Sequence, residues 1–148
     1  MSSISGVLVE KLKQFENEKG KVLHMLRADN PNFISFGEVY FSQINPGKIK
    51  GWHKQLKMTL NYAVPVGKVK LVLYDAREDT ATYKNILEIM LSQEEYYLVT
   101  IPPGIWVSFK AISDSVALLV NCATHPHSDK ECEHLAIEDK QIPYNWDE

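Results

Sequence analysis

The sequence predicts an all-β fold, a sandwich or a barrel, from two observations. Short stretches of alternating apolar and polar residues recur along the 148-residue chain, and this period of two is typical of half-buried strands. Clusters of Gly, Pro, Asn and Asp separate the stretches, as at residues 45–47 and 102–104, and such clusters form turns. Many short strands at this spacing are typical of sandwiches and barrels, whose sheets cover or close their edges.

The N-terminal segment predicts a hairpin. Valines alternate with other residues within residues 6–15, and residues 16–20 are a polar turn that leads into residues 22–26. A short amphipathic helix over the first segment is the alternative, because its larger apolar residues also recur at helical spacing. The following Asp-Asn-Pro-Asn at residues 29–32 predicts a loop.

The segment FGEVYFS predicts a strand with two different faces. Glu38, Tyr40 and Ser42 fall on one side, and Val39 and Phe41 fall on the other, because successive side chains of a strand point in opposite directions. The polar set would face a cavity if the apolar set packs against another sheet.

Further strands are predicted at residues 49–53, 60–64, 68–74, 96–101, 106–112 and 115–122. Residues 86–91 fit a strand or a short helix, and the acidic tail over residues 128–148 is expected to be irregular or partly helical. A chain of 148 residues can bury a sizeable core in one domain. We therefore predict a single domain over residues 1–148.

Composition excludes several classes of function. The chain has 16 basic and 19 acidic residues, so it has no bulk positive field for nucleic acid or anionic lipid. A phosphate-bearing ligand would need a few placed cations. Cys122 and Cys132 form neither a CxxC pair nor a disulfide-dense pattern, which favours a reduced, cytoplasmic setting. No apolar run approaches the roughly 20 residues of a membrane helix, so we expect no membrane partner.

The spacing of Gly47, His53, Gln55, Leu60 and Gly67 resembles the first motif of the cupins. Cupins are small barrels with a double-stranded β-helix (jelly-roll) fold, and this motif normally supplies two histidines and a glutamate to a metal. The resemblance implies the same barrel here. Gln is a poor ligand for a transition metal and Leu is none, so the motif keeps one donor.

A second cupin motif leads to the same expectation about metal. Residues 102–104, Pro-Pro-Gly, precede Val107 where the remaining metal-binding histidine would lie. Both motifs therefore predict that no metal is bound. His125 and His127 form an HxH pair, but the proline between them and the absence of a third donor nearby favour a turn.

Short motifs spread over nearly the whole chain resemble those of the dTDP-4-dehydrorhamnose 3,5-epimerases. These motifs are Asn17, Glu18, Lys19 and Gly20; Lys50, Gly51, Trp52, His53 and Gln55; Asp75, Arg77, Thr80 and Thr82; and Glu138, Asp139 and Trp146. The family consists of metal-free cupins that act on nucleotide-linked 4-keto sugars without a cofactor. It also forms dimers through sheet edges, so the resemblance implies a homodimer.

The resemblance implies catalysis by proton abstraction next to a ketone. His53 would be the base, and Asp139 would fix its tautomer and raise its basicity. A core histidine that is merely hydrogen-bonded is the structural alternative for His53.

Two residues that the family uses are absent. The lysine that stabilises the enolate oxygen falls on Leu60, and the tyrosine that protonates the opposite face falls on Val120. The chemistry could then be ketoisomerisation, with a proton carried between neighbouring carbons on one face. Lys57 could replace the missing cation. Alternatively, the base could work with a substitute acid such as Tyr40, Tyr62 or His125.

The predicted reaction is therefore epimerisation or a related isomerisation of a nucleotide-diphosphate 4-keto sugar. A non-catalytic cupin that binds a sugar or nucleotide sugar is the alternative. The predicted catalytic residues are His53, Asp139 and Tyr40. The resemblance places the diphosphate near Lys19 and Lys50 and the sugar near the polar face of the FGEVYFS strand. The predicted substrate-binding residues are Lys19, Glu38, Ser42, Lys50, Gln55, Arg77 and His125.

Overall fold

The computed structural model describes residues 3–147, and every regular element in that range is a β-strand. The strands are β1 (Leu8–Lys11), β2 (Gln14–Asn17), β3 (Gly20–Leu23), β4 (Glu38–Ile44), β5 (Ile49–Gln55), β6 (Leu60–Val66), β7 (Val69–Asp75), β8 (Ile86–Leu91), β9 (Tyr97–Ile101), β10 (Ile105–Ala111), β11 (Ala117–Ala123) and β12 (Cys132–His134). Within residues 3–147, no helix is long and apolar enough to cross a membrane.

Two five-stranded antiparallel sheets form the barrel. The first has the order β1-β9-β6-β11-β4, and the second has the order β12-β5-β10-β7-β8. Apart from β7 and β8, the hydrogen-bonded neighbours in these sheets are not consecutive in the chain, as in a jelly roll, and the sheets pack face to face. The jelly-roll fold predicted from the cupin spacing is confirmed.

Apolar side chains from both inner faces form the main core, and five of its fully buried members are Leu60, Leu71, Leu73, Ile101 and Leu119. Burial of each such side chain contributes roughly 1.5 to 3 kcal/mol. A second cluster forms where the tail covers the outer face of the second sheet, and it includes Trp52, Val72, Tyr74, Trp106 and Ile142.

The N-terminal hairpin forms, but its first strand is shorter than predicted. Strand β2 pairs with β3 from Gln14↔Leu23 to Asn17↔Gly20. Strand β1 is separate and pairs with β9 of the first sheet. The prediction that residues 6–15 form one hairpin strand is therefore wrong, and so is the helical alternative. Local periodicity cannot reveal that β1 pairs with a strand about 90 residues away.

Strand β4 shows the predicted alternation of faces. Ile44 lies in the core, so Glu38, Tyr40 and Ser42, at the same parity, face the interior. Val39 and Phe41 point outward and are 51% and 66% exposed. The condition that these apolar residues pack against another sheet is not met within the described chain, because both side chains are exposed.

The remaining elements resolve the open alternatives. Residues 86–91 are strand β8. The tail forms the short strand β12, which pairs with β5, and up to residue 147 it otherwise consists of turns and irregular stretches. Beyond β12 the tail stays attached to β5, since Leu135 and Trp52 exchange backbone hydrogen bonds and the Trp52 indole donates to Ile137 O at 3.3 Å.

Candidate active site

Strand β4 is an edge of the first sheet and β12 is an edge of the second; the space beside the inner faces of these two strands is called the opening. Burial raises the pKa of the Tyr40 hydroxyl on β4, and nearby negative charge on Glu38 or on Cys132 of β12 would raise it further. Cys132 pairs with Gln55 on β5, His53 on the same strand bonds to Tyr62, and Tyr62 and Tyr40 both pair with Asn121, so the two edges line the same space. Tyr40 is 37% exposed there.

His53 lies in this opening on β5 and is partly exposed. A hydrogen bond of 3.1 Å joins its Nε2 to the Tyr62 hydroxyl. The ring packs edge-on against Phe109 at 6.3 Å between centroids. Burial, together with His134 on the neighbouring strand, lowers the pKa of His53 to about 4. The imidazole is therefore neutral near pH 7.

Gly51 sets the path of β5 just before His53. A Cβ on Gly51 would lie 2.6 Å from the Val107 carbonyl oxygen, and its φ of +119° is rarely adopted by other residues. The pairing of β5 with β10 shifts register between Val107 and Ser108. Such irregularities commonly re-aim side chains near functional sites, and this one precedes the only site histidine that the cupin spacing predicts.

Tyr62 comes from the first sheet and meets His53 across the barrel. It is almost fully buried, and burial is the main cause that raises its pKa well above the ordinary value. Its ring also packs edge-on against Phe109. Tyr40, Asn121 and Tyr62 are direct partners across β4, β11 and β6, so the two phenols lie on the same inner face.

Two buried polar atoms at this end of the barrel have no partner among the described residues. They are Gln55 Oε1 and Asn121 Nδ2. The other amide atom of Gln55, Nε2, donates to the Cys132 sulfur at 3.5 Å. Buried polar atoms are almost always hydrogen-bonded, because an unpaired one costs stability. Such atoms beside a partly exposed histidine are suited to meet a polar ligand.

Three predicted substrate-binding residues lie on the β4 side of the opening. Glu38 and Ser42 are on the inner face of β4, and the Glu38 carboxylate accepts a hydrogen bond from the backbone N of His127. His125 follows β11, and its Nδ1 is 2.9 Å from the Thr124 hydroxyl. The HxH pair lies in a bend at residues 124–125 and the irregular segment that follows it, both anchored to neighbouring residues.

The predicted cations lie elsewhere. Lys19 is exposed on the turn of the β2–β3 hairpin, and Lys50 is exposed on β5. Arg77 pairs with Asp75 at 2.9 Å and donates to Ser5 O at 2.6 Å. Within residues 3–147, no hydrogen bond or ion pair joins these three cations to His53 or Tyr62.

Asp139 lies in a turn of the tail. Its carboxylate accepts a hydrogen bond from the backbone N of Gln141 at 2.9 Å. Over the part of the chain that the structure describes, no hydrogen bond joins Asp139 to His53. The role of Asp139 stays a prediction from the resemblance.

The positions that hold metal in other cupins carry apolar or amide side chains. Leu60 and Val107 belong to the main core, and Gln55 bonds to Cys132. Among residues 3–147, no group of three His, Cys, Asp or Glu side chains is placed to hold a metal ion.

Sequence reasoning missed Cys132 and Asn121. Asn121 had a detectable signal, since it is the single amide in the otherwise apolar segment over residues 117–123. Cys132 had no such signal in the sequence, because it lies in the tail, which was expected to be irregular or partly helical and not to form a strand beside the opening. Tyr62 was only one of three candidate acids, and its contact with His53 depends on how the two sheets pack.

Comparison with known proteins gives consistent matches. A sequence profile of the family described as dTDP-4-dehydrorhamnose 3,5-epimerase matches residues 1–148. The chain is 29% identical over 150 residues to the probable low-salt glycan biosynthesis epimerase Agl13 of Haloferax volcanii, covering 99% of this chain and 96% of that protein.

Solved structures agree with these matches. The chain is 40% identical to a dTDP sugar isomerase from Desulfovibrio desulfuricans, with a TM-score of 0.95 over 97% of this chain and 92% of that one. The epimerase RmlC of Legionella pneumophila, solved in complex with dTDP-4-keto-L-rhamnose, has the same fold at 21% identity, with a TM-score of 0.85 over 98% of this chain and 80% of that one.

Proposed function

The chain belongs to the dTDP-4-dehydrorhamnose 3,5-epimerase family, and we propose that His53 is the base of its reaction. As the sequence predicts, the protein is an enzyme, an epimerase or related isomerase of a nucleotide-diphosphate 4-keto sugar. Such enzymes remove a proton from a carbon next to the ketone and return it with a changed position or configuration.

The observation that carries the proposal is a partly exposed, neutral histidine in the barrel opening. A base must reach the proton and must itself be unprotonated. His53 meets both conditions, because it lies at the opening and its pKa is lowered to about 4. Its hydrogen bond to Tyr62 limits rotation of the ring.

Tyr40 is the proposed acid. It faces the opening from the opposite edge, and burial raises its pKa, so the hydroxyl keeps a proton that it can donate. This supports Tyr40 as the group that protonates the enolate or stabilises its oxygen in place of the absent lysine. Asn121 lies directly opposite Tyr40 on β11.

The sugar is proposed to lie between the two edges of the opening. Glu38, Ser42 and His125 would contact it from the first sheet, and Gln55 from the second. The buried Oε1 of Gln55, which has no partner within residues 3–147, supports this assignment, because a sugar hydroxyl can donate to it.

Lys19, Lys50 and Arg77 are the proposed diphosphate ligands. Lys19 and Lys50 are exposed and can reorient, whereas Arg77 already pairs with Asp75 and offers only its remaining N–H groups. Lysine gives point-charge contacts rather than the bidentate contacts of arginine. We therefore propose that Lys19 and Lys50 contribute more to diphosphate affinity than Arg77 does.

A homodimer is also proposed. The exposed outer face of β4 and the hairpin carry large apolar side chains, including Phe41 at 66% exposure and Phe15 at 56%. Strand β4 is also an edge with unpaired backbone groups, which proteins usually cover. Because Lys19 lies on the same hairpin as Phe15, dimerisation would bring it close to the second copy.

The free thiols of Cys122 and Cys132 support a cytoplasmic location as a further proposal.

Asp139 remains the proposed partner that raises the basicity of His53 once substrate is bound. If the two act as a unit, Asp139→Asn should slow the reaction, and adding it to His53→Asn should have little further effect. An unchanged rate in Asp139→Asn would mean that Asp139 only stabilises the turn in which its carboxylate bonds to Gln141 N.

Solvent exchange tests the reaction. The protein is incubated with dTDP-4-keto-L-rhamnose in D₂O, and the sugar is followed by NMR and mass spectrometry. An epimerase incorporates deuterium at the carbons that flank the ketone. A one-face ketoisomerase moves the carbonyl to the neighbouring carbon, and a non-catalytic cupin binds the sugar without exchange. Exchange in wild type that persists in His53→Asn would overturn the assignment of His53.

A further inference from the structure

We propose that Gln55 and Cys132 form a hydroxyl-recognition subsite, in which Gln55 Oε1 accepts a hydrogen bond from a sugar hydroxyl and Cys132 holds the amide in place. The inference rests on the proposed function, because it names a group of that substrate and a residue that recognises it. Cys132 is a positioning residue here and takes no part in the chemistry.

The contacts of Cys132 orient the Gln55 amide. The thiol donates toward Glu133 O at 3.7 Å, and its sulfur accepts from Gln55 Nε2 at 3.5 Å. Because the thiol proton is directed to the backbone carbonyl, the sulfur presents a lone pair to the amide. The NH₂ group of Gln55 therefore faces the sulfur, and Oε1 faces away from it.

The orientation leaves an acceptor with no donor. Gln55 is 6% exposed, and its Oε1 has no partner among the described residues. A buried carbonyl oxygen of this kind costs stability unless a ligand supplies the missing donor. A sugar hydroxyl supplies one, whereas a phosphate or a ketone oxygen would be repelled.

The subsite opens onto the proposed catalytic residues. Gln55 is two positions after His53 on β5, so both side chains lie on the same face, about 6.5 Å apart along the strand. Cys132 pairs directly with Gln55 across β12 and β5, and the neighbouring His53 bonds to the Tyr62 hydroxyl, so the sulfur lies on the face that carries the proposed catalytic residues. The hydroxyl bound by Gln55 thus belongs to the sugar ring near its reacting carbons.

Binding measurements that need no turnover test the proposal. Calorimetry would compare dTDP-L-rhamnose, which has a hydroxyl in place of the ketone and cannot enolise, with dTDP, which has no sugar. Gln55→Leu is expected to weaken dTDP-L-rhamnose about 10-fold, the loss for one hydrogen bond, and to leave dTDP unchanged. Cys132→Ala is expected to give a smaller loss, about 3-fold, of the same kind.

A matched control is available in Cys122→Ala. Cys122 pairs with Val39 on β4 and therefore lies on the outer face of its sheet, so this variant should bind both ligands as wild type does. The Cys122→Ala variant keeps Cys132 as its one cysteine. In this variant, bound dTDP-L-rhamnose should slow the alkylation of Cys132 by iodoacetamide more than bound dTDP does. Thermal melting of each variant would report any damage to the fold.

Three results would overturn the subsite. Unchanged dTDP-L-rhamnose affinity in Gln55→Leu would mean that no hydroxyl is bound there. Equal losses of affinity for both ligands in Gln55→Leu would mean that Gln55 contacts the nucleotide or supports the fold. Wild-type affinity in Cys132→Ala would mean that Cys132 does not position the amide. Because no arm requires catalysis, absence of deuterium exchange would count against the proposed reaction while leaving this test intact.

Discussion

The Tyr62 hydroxyl lies 3.1 Å from His53 Nε2, and both rings pack edge-on against Phe109. One side chain comes from each sheet, so the pair forms only when the barrel is assembled. Tyr62→Phe keeps the ring packing and removes the hydrogen bond. We expect deuterium exchange to slow about 10-fold through kcat, with little change in KM, because ring orientation and not substrate binding is affected.

Tyr96→Phe is the matched control for that change. Tyr96 is another buried tyrosine and makes no hydrogen bond to His53 in the described chain. Its variant should retain wild-type exchange and a similar melting temperature. If Tyr62→Phe behaves in the same way, the hydrogen bond has no part in the reaction.

His53→Asn tests the base directly. Asn is polar and of similar reach, but it cannot accept the substrate proton. We expect the exchange rate to fall at least 100-fold and up to about 10,000-fold, the usual contribution of general-base catalysis, while affinity for dTDP stays unchanged. An unfolded variant would indicate that the histidine is structural, and circular dichroism would detect this.

The pH profile provides an independent check on His53. Because its pKa is lowered from 6.5 to about 4, the neutral form persists well below the range of an ordinary histidine. We expect kcat/KM for exchange to stay level from pH 7 down to about 5 and to fall only near pH 4. A fall centred near pH 6.5 would show that the base titrates in a solvated environment.

Much of this arrangement can be predicted from the sequence, because strand periodicity and motif spacing are local. Alternation in FGEVYFS put Tyr40 on the inner face of β4, and the cupin spacing put His53 on β5. The pairing of β1 with β9 and the Tyr62–His53 contact depend on which distant strands meet. The position of Cys132 depends on a three-residue strand that is stable only when paired with β5. No local pattern encodes such contacts.

A charge on the outer face of β4 tests the proposed dimer. Phe41→Glu replaces an exposed side chain that faces away from the core, so the fold should be retained. We expect wild type to elute as a dimer in size-exclusion chromatography with light scattering, and the variant to shift toward monomer. Asp114→Lys is the control, because it changes the charge of an exposed residue that belongs neither to β4 nor to the hairpin. Ser42→Glu is unsuitable, because Ser42 faces inward. A wild-type protein that is monomeric at all concentrations would contradict the proposal.

The Asp75 network predicts a specific dependence of stability on pH. The Asp75 side chain is fully buried and accepts hydrogen bonds from Arg77, Thr80 and Thr82. Burial alone would raise its pKa, but hydrogen bonds from Arg77 and the two threonines outweigh it and lower the value from 3.8 to about 2. Since Arg77 and Thr82 also bond to Ser5, the same carboxylate attaches the N-terminal segment to the barrel.

A carboxylate with a lowered pKa stabilises the folded state above its unfolded pKa, and this contribution is lost as pH falls through the folded value. A shift from 3.8 to about 2 corresponds to about 2.5 kcal/mol, at roughly 1.4 kcal/mol per unit. Wild type should therefore lose this stability between pH 4 and 2. Asp75→Asn should already lack it at pH 7 and should lose less on acidification. Urea unfolding at a series of pH values measures this effect, with Asp79→Asn, an exposed change in the same loop, as the control. Parallel curves of unfolding free energy against pH for Asp75→Asn and wild type would disprove this role of Asp75.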